Sequence, residues 1–270
     1  MKKRWVSIFA IFFALCFSFL ITSRVQAAYK RVSESSGIVS SGGYKFSYSN
    51  NGSSYVLKIA KGSSTKTIQV KTYSSLTNGK YVYYGTGSAS SQTTTVYRYK
   101  LSNGSTTRIF SATVDRNGIG SNSIDLVGLT GSYLYYGDGA QYGGTVYDLR
   151  VYNLKKGTIR NTGISTASNV RVVNKKILVD ATGTPHGGPL YLVKKSGSGK
   201  KQLGSYYYVE RVRVTSKYIY YLQSSGYGTL EGRIVRCKLN GSGTKYLTGW
   251  GSMLKNGSNS IYSKINKYFG

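Results

Sequence analysis

Hydrophobic and polar residues alternate along most of the chain in short runs, which Gly, Ser and Asn separate. One sequence motif starts with Lys80-Tyr-Val-Tyr-Tyr84, continues with Val96-Tyr-Arg-Tyr-Lys-Leu101 and ends with Thr107-Arg-Ile-Phe110. Alternation with a period of two, bounded by turn residues, predicts β-strands, and pairs such as Asn103-Gly104 predict tight hairpin turns. The pattern therefore predicts an all-β chain of antiparallel hairpins, without helical periodicity.

The same motif recurs as Lys217-Tyr-Ile-Tyr-Tyr221, Ile234-Val-Arg-Cys-Lys-Leu239 and Lys245-Tyr-Leu-Thr248. A period of about 40–50 residues with four strands per unit predicts the stacked blades of a β-propeller. Five units follow one another at about residues 36–72, 73–115, 120–163, 167–204 and 206–249. Half a unit remains at 250–270. We expect it to pair with residues 29–33 or 37–40, so that the termini close a ring of five or six four-stranded blades.

The stretch 214–248 also resembles the repeat of bacterial secreted β-propellers of the low-density-lipoprotein-receptor-type and TolB-type groups. The resemblance covers most of residues 73–249 and weakens in the fourth unit, and the Asp-Gly turn of those groups is here Asn240-Gly241. It implies the propeller fold and a role in ligand binding or protein interaction. It transfers no catalytic residue, because the chemistry of such scaffolds lies in loops that the repeat does not specify.

The N-terminus has the three parts of a secretory signal peptide: the basic residues Lys2, Lys3 and Arg4, an apolar run from 8 to 21, and the small-residue site Val25-Gln-Ala27. We expect residues 1–27 to be cleaved and residues 28–270 to form a single propeller domain. No second apolar run of membrane-spanning length follows. The sequence thus predicts a secreted protein of Gram-positive type, either free or associated with the cell wall.

The chain is strongly basic, with 37 Lys and Arg against eight Asp and Glu and a formal net charge of +29. Cleavage would remove four basic residues, which leaves 33 against eight and a charge of +25. Because acidic residues serve solubility better than basic ones, this excess favours attraction to polyanions. Teichoic acid and acidic polysaccharide fit it, as does nucleic acid bound without sequence preference. The alternative is a charge that only keeps an exported protein near an anionic wall.

Basic side chains beside aromatic rings suit ligands that combine sugar and phosphate: Lys supplies a point charge, Arg a bidentate donor and Tyr a stacking surface. Arg211 and Arg213 alternate along one predicted strand and so share a face. The candidate binding residues are Tyr206, Tyr207, Tyr208, Arg211, Arg213, Lys175, Lys176, Lys200 and Lys201. For the lysines, the alternative is that they prevent exposed strand edges from pairing with other chains.

Candidates for catalysis are few. A glycosidase needs two carboxylates across the scissile bond, and Asp125, Asp180 and Glu210 are the residues that could approach a central channel. The single histidine, His186, lies in a Pro- and Gly-rich loop, and with one cysteine it cannot make a usual zinc site. We therefore expect a non-enzymatic binding protein without a metal or cofactor. A propeller that binds a surface protein is the alternative, and a polysaccharide hydrolase or lyase is the third.

Overall fold

A computed structural model describes residues 29–52, 54–88, 90–114, 123–139, 145–182, 187–204, 208–226 and 228–270. The predicted signal peptide (1–27), His186, Tyr206 and Tyr207 lie outside the described residues. No helix in the described part of the chain has the length and apolar character needed to cross a membrane.

The strands form five antiparallel sheets that follow one another along the chain. Sheet 1 contains β2 (Val39–Ser41), β3 (Tyr44–Asn50), β4 (Tyr55–Lys61) and β5 (Ser64–Val70). Sheet 2 contains β6 (Ser74–Thr77), β7 (Tyr81–Thr86), β8 (Thr93–Lys100) and β9 (Thr106–Thr113), with β1 (Lys30–Ser33) added beside β6. Sheet 3 contains β10 (Ile124–Thr130), β11 (Tyr133–Gly139), β12 (Val146–Asn153) and β13 (Thr158–Ala167). Each sheet coincides with one repeat unit of the sequence.

Sheet 4 contains β14 (Asn169–Val173), β15 (Lys176–Asp180), β16 (Leu190–Lys194) and β17 (Lys201–Leu203). Sheet 5 contains β18 (Val209–Val214), β19 (Tyr218–Ser224), β20 (Glu231–Lys238), β21 (Lys245–Tyr246) and β22 (Gly251–Ser252), the last two both pairing with β20. The predicted all-β propeller with four-stranded blades is confirmed, and the described residues form five blades.

The core lies between successive sheets, because the apolar side chains of a blade alternate toward both of its neighbours. Phe46 and Leu57 of sheet 1 pack with Val82 and Tyr84 of sheet 2. Three further hydrophobic clusters join sheet 2 to sheet 3, sheet 3 to sheet 4, and sheet 4 to sheet 5. Buried tyrosines such as Tyr135 fill these spaces with their rings.

The N-terminal strand ties three sheets together near their inner strands. In β1, Arg31 lies opposite Leu76 of β6 and ion-pairs with Asp125 of β10, with 3.0 Å between Nη2 and Oδ2. Its Nη1 donates to the carbonyl of Ser168 at 3.0 Å. The hydroxyl of Tyr29 lies 3.0 Å and 2.5 Å from the carbonyl oxygens of Val127 and Val170. The N-terminal segment therefore links sheets 2, 3 and 4 near their first strands.

The C-terminal segment does not pair with the N-terminus, so the predicted pairing of 250–270 with 29–33 or 37–40 is wrong. Instead β22 pairs with β20, and residues Tyr262–Phe269 form helix α1. Ile261 and Ile265 are one helical turn apart, so they share one helix face and cover Leu222 and Ile234 of sheet 5. This apolar pair is the signal that an all-strand interpretation overlooked.

The outer face of sheet 1, which points away from sheet 2, is polar. Lys45, Ser47, Lys58 and Thr67 share this face, and all but the partly buried Ser47 are exposed. A polar outer face is typical of a terminal repeat. Polar residues thus form the outer face of the first sheet, and a helix covers the fifth sheet. Closure of the ring by the termini is not shown in the described part of the chain.

Candidate functional site

The meander topology places the hairpin turns of every blade at one end of the propeller. In each sheet the first-to-second and third-to-fourth strand connections lie at this end, and the other connections lie at the opposite end. We call this end the turn face. Its turns are residues 42–43, 62–63, 78–80, 101–105, 131–132, 154–157, 174–175, 195–200, 215–217 and 239–244.

Turns of neighbouring blades touch one another across this face. A Cβ at Gly42, which has a φ of +59°, would clash with the backbone of Gly79 in the next blade, so the two turns meet closely enough to require glycine. The hydroxyl of Tyr135 donates to the carbonyl of Lys195 at 2.7 Å, and Lys201 Nζ donates to the carbonyl of Gly241 at 2.8 Å. At the turn face, sheets 1 and 2, sheets 3 and 4, and sheets 4 and 5 are therefore in direct contact.

Lysine dominates this surface. The lysines within the turns are Lys80, Lys155, Lys156, Lys175, Lys195, Lys200 and Lys217. Those on the strand residues that directly border the turns are Lys61, Lys100, Lys176, Lys194, Lys201, Lys238 and Lys245. None of the eight acidic residues of the sequence falls in these turns or at their borders. The positive charge of the turns is thus not neutralised locally.

The carboxylates gather toward the opposite end. Asp125 and Glu210 are second in their strands, Glu231 is first in β20, and Asp180 is last in β15, all of them strand positions remote from the turn face. The connections at that end are rich in Gly, Ser, Thr and Tyr, with few charges. The protein is therefore electrostatically polar, with cations at one end and its few carboxylates nearer the other.

Two of the three carboxylates considered for catalysis are held by cations of the protein. Asp125 is 1% exposed, ion-pairs with Arg31 and accepts the backbone N–H of Ser74 at 3.0 Å. Burial raises the pKa of Asp125, against the opposing effect of the Arg31 charge and the hydrogen bonds from Ser74. These contacts fix the carboxylate within the junction of sheets 2 and 3.

Asp180 is fully buried and also engaged within the protein. Its Oδ1 accepts the Thr182 hydroxyl at 2.6 Å and the Asn169 amide at 2.8 Å, and its Oδ2 lies 3.4 Å from Arg171 Nη2. Glu210 lies on a different strand, β18, and is partly exposed. Arginines distant or near in sequence, Arg31 and Arg171, thus hold Asp125 and Asp180 within the protein.

The four predicted lysines all lie on or at the border of the turn face. Lys175 and Lys176 form the β14–β15 turn and the first residue of β15, and Lys175 is exposed. Lys200 bonds the carbonyl of Gly163 in sheet 3, and its Nζ lies 5.3 Å from the centre of the Tyr191 ring. Lys201 bonds Gly241 of sheet 5. Lys200 and Lys201 thus connect blades as well as carrying charge.

The predicted cluster of arginines and tyrosines is divided by the structure. Arg211 and Arg213 are both exposed on β18, as the alternation predicts, and Arg213 Nη1 donates to the carbonyl of Tyr268 in α1 at 2.8 Å. Tyr208 precedes β18 at the end remote from the turn face, and its carbonyl accepts the N–H of Ser224. Arg213 therefore borders the turn face, whereas Tyr208 belongs to the opposite end.

The sequence-based candidates omit a cation–aromatic arrangement that occurs in two blades. In sheet 5, Tyr218 lies opposite Lys238, Lys217 precedes it, and the guanidinium carbon of Arg236 is 4.2 Å from the centre of its ring.

In sheet 2 the matching residues are Lys80, Tyr81, Arg98 and Lys100, with Arg98 4.8 Å from the Tyr81 ring centre. The phrase Lys-Tyr-x-Tyr followed by Arg-x-Lys-Leu is visible in the sequence of both units, and that recurrence is the signal that could have identified it.

Metal-binding and thiol chemistry find little support in this part of the molecule. Among the described residues no group of three or more His, Cys, Asp or Glu side chains is placed to hold a metal ion. Cys237 is buried in the cluster between sheets 4 and 5, and burial raises the pKa of its thiol to about 11. Its environment is that of a small apolar core residue.

Comparison with known proteins finds similarity only in three-dimensional structure. No protein-family model and no curated protein sequence matches the chain. TolB from Acinetobacter baumannii is similar at 15% identity over 72% of this chain, with a TM-score of 0.40, and this chain spans 49% of that protein. The β-propeller domain of the Trilobed protease from Pyrococcus furiosus, described as having an open velcro topology, is similar at 10% identity over 78% of this chain and 70% of that one (TM-score 0.45).

Prolyl oligopeptidase B from Galerina marginata is similar at 14% identity over 83% of this chain and 34% of that protein, with a TM-score of 0.43. The similar structures thus include TolB and a β-propeller domain. The relation to low-density-lipoprotein-receptor-type repeats remains a prediction.

Proposed function

We propose that this protein is a secreted, non-enzymatic binding protein whose turn face docks an anionic polymer of the cell envelope, either a teichoic acid or an acidic polysaccharide. The observation that carries the proposal is the segregation of charge. Lysines occupy turns of four of the five blades, while every acidic residue lies outside the turns and their borders. A positive charge that served only solubility would not need to be concentrated at one end of the blades.

A repeating polyanion suits this surface better than a single small anion does. The lysines are spread over turns that touch from blade to blade, so a polymer lying across them could meet several cations at once. Each neutralised anion releases counterions, and binding of this kind weakens steeply with salt. Such contacts require no deep cavity, which matches an open surface of turns.

The enzymatic alternative is less favoured by the geometry. Asp125 and Asp180 have arginine partners within the protein, and a buried carboxylate in such a pair would have to lose its partner before acting on a substrate. Unchanged activity toward a polysaccharide in Asp125→Ala, Asp180→Ala and Glu210→Ala variants would reject the hydrolase or lyase assignment. Nucleic acid presents the same phosphate chemistry as teichoic acid and is a competing ligand in the experiment below.

A protein partner is the second candidate, and exposed apolar side chains on and beside sheet 5 favour it. Leu230, Tyr246 and Leu254 are 58%, 58% and 51% exposed. Leu230 and Leu254 lie near each other, because the N–H of Met253 donates to the carbonyl of Leu230, and exposed apolar patches often mark interaction sites. Crosslinking that recovers one specific surface protein, unaffected by digestion of wall polymer, would favour this function over polymer binding.

The test is cosedimentation of residues 28–270 with purified cell walls, before and after teichoic acid is stripped, across a salt series. We expect binding to fall on stripping and to decline steeply with salt. Lys80→Met, Lys155→Met and Lys175→Met combined should weaken binding at least tenfold. A control with Lys58→Met, Lys255→Met and Lys264→Met, which removes the same charge from exposed positions elsewhere, should stay within twofold. Equal losses in both triple variants, or retention at molar salt, would reject a turn-face polyanion site.

A further inference from the structure

The outer face of sheet 5, which points away from sheet 4, lies at the end of the series of blades. Its residues alternate along the strands with those that pack on sheet 4, such as Tyr221 and Val235. Among the described residues, no hydrophobic cluster joins this face to sheet 1. Helix α1 covers Leu222 and Ile234, in the half that is remote from the turn face. The half nearer the turn face is therefore accessible to a partner.

A row of three cations and one aromatic ring crosses this accessible half from strand to strand. Arg213 of β18 lies opposite Tyr220 of β19, and Tyr220 lies opposite Arg236 of β20. Arg236 in turn lies opposite Lys245 of β21. Neighbouring strands are about 4.8 Å apart, so the row is about 14 Å long. We call these four residues the end row, and no Asp or Glu occupies a paired position on the same face.

The two arginines of the end row have hydrogen-bonding capacity left for a ligand. Arg213 is exposed and uses Nη1 to donate to the carbonyl of Tyr268 at 2.8 Å. Arg236 packs 4.2 Å from the centre of the Tyr218 ring, and its Nε has no hydrogen-bond partner in the described structure. Neither arginine forms an ion pair with a described residue. Each guanidinium can therefore present a fork of N–H donors to an anion.

In an interior blade the ring that corresponds to Tyr220 is covered by the next blade. Tyr135 has this position in sheet 3, is 0% exposed and donates to the carbonyl of Lys195 in sheet 4. Tyr220 is instead partly exposed. Sheet 1, of this chain or of a second copy, does not complement the end row, because its outer face carries the exposed Lys45 and Lys58 and like charges repel. The charge of the end row thus favours an anionic occupant.

We infer that the end row binds the phosphodiester groups of a polyol phosphate polymer. Arg213 and Arg236 each donate to the oxygens of one phosphate, and Lys245 adds a third positive charge. The inference rests on the proposed function, and it narrows the polymer to one with phosphate in its backbone. A flexible polyol chain can bring successive phosphates to cations about 5 and 10 Å apart, whereas a chain of rigid sugar rings holds its carboxylates at a fixed spacing.

The tyrosines of this face favour a polyol over a nucleic acid. Arg236 lies over the ring of Tyr218, and the ring of Tyr220 stacks on that of Tyr268 with 5.5 Å between the centres. Recognition of single-stranded nucleic acid uses aromatic faces on which successive bases stack. Because these rings are already engaged with Arg236 and with one another, they offer edges and hydroxyls, which suit the carbons and hydroxyls of a polyol.

The experiment measures binding of residues 28–270 to poly(glycerol phosphate), polygalacturonate and oligo(dT) at one salt concentration. Arg213→Lys with Arg236→Lys keeps the net charge and removes both forks. We expect this double variant to bind poly(glycerol phosphate) at least tenfold more weakly than the wild type, and the other two polymers within twofold.

A single substitution guards against loss of folding in the double variant. Arg213→Lys, at an exposed position, should weaken binding of poly(glycerol phosphate) at least threefold. Its matched control is Arg108→Lys, which changes an exposed arginine on β9 of sheet 2 and should change binding less than 1.5-fold. The urea midpoint of each variant shows that it is folded.

The outcomes separate the end row from the proposed function. If the wild type and both arginine variants bind poly(glycerol phosphate) equally, the end row is wrong and the proposed function stands. An equal loss toward polygalacturonate or oligo(dT) would overturn the assignment to a polyol phosphate. If the wild type does not cosediment with walls but binds poly(glycerol phosphate) through Arg213 and Arg236, the end row stands and the proposed function is wrong.

Discussion

Removal of Arg31 tests whether the N-terminal strand holds the propeller together. Its guanidinium joins sheets 2 and 3 to the connection between sheets 3 and 4: it ion-pairs with Asp125 at 3.0 Å and donates to the Ser74 hydroxyl and the Ser168 carbonyl. The side chain of Asp125 is 2% exposed, so it would keep a buried charge without its counter-ion. Breaking a buried pair from one side costs about 3–5 kcal/mol, which is a large part of the 5–15 kcal/mol that stabilises a typical domain.

The assay is urea unfolding of residues 28–270, followed by the fluorescence of Trp250. Arg31→Met, which keeps most of the apolar stem, should lower the free energy of unfolding by about 3 kcal/mol with an unchanged m-value. Asp125→Asn should also destabilise the protein. The double variant should be less destabilised than the sum of the two by about 1–3 kcal/mol, because the partners share one interaction.

The loss should also depend on pH. Burial already raises the pKa of Asp125, and removal of Arg31 takes away the main opposing charge, so the pKa rises further. A raised carboxyl pKa gives stability that is present below the unfolded pKa and is lost as pH rises through the folded value. The deficit of Arg31→Met should therefore be largest at neutral pH and shrink on acidification. A deficit below about 1 kcal/mol, or strict additivity, would refute this account of β1.

Three further predictions concern the buried tyrosines, the buried cysteine and the C-terminal helix. The free energy of unfolding should fall above pH 10 by about 1.4 kcal/mol per pH unit for each buried tyrosine whose pKa is raised by burial, because those tyrosines then ionise only in the unfolded chain. Urea unfolding measures this loss of stability, and absorbance at 295 nm measures the ionisation of tyrosine. These tyrosines include Tyr29, Tyr48, Tyr135 and Tyr221. Cys237 should react with a thiol reagent at least a hundredfold more slowly in the native protein than in urea. Ile265→Ala should cost about 2–4 kcal/mol by uncovering sheet 5, whereas the exposed Lys264→Ala should cost less than 0.5 kcal/mol.

The blades could be predicted from the sequence because their signals are local. The unit at 73–115, for example, differs by only one or two residues from the span of β6–β9, and Asn-Gly marks turns such as that at 103–104. Strand alternation also places Arg211 and Arg213 on one face. Each of these features depends on neighbouring residues alone, so one sequence suffices to find it.

The ends of the propeller and its site depend on contacts distant in sequence. Nothing local shows that Arg31 meets Asp125, 94 residues away, or that Ile265 covers sheet 5 as part of a helix. The position of Tyr208 at the end remote from Lys175 follows only once the order of strands within each sheet is known. Likewise, the excess of lysine is visible in composition, but its concentration on one face requires the topology.

The most direct test of polymer binding by the turn face is the salt dependence of binding to poly(glycerol phosphate), measured for the wild type and the two triple variants. Loss of three lysine contacts should flatten the slope of log K against log salt by about 2–3 units. We therefore predict a flattened slope for Lys80→Met, Lys155→Met and Lys175→Met, and an unchanged slope for Lys58→Met, Lys255→Met and Lys264→Met. Identical slopes in the two variants would contradict the account, because the turn face would then have no privileged role in binding.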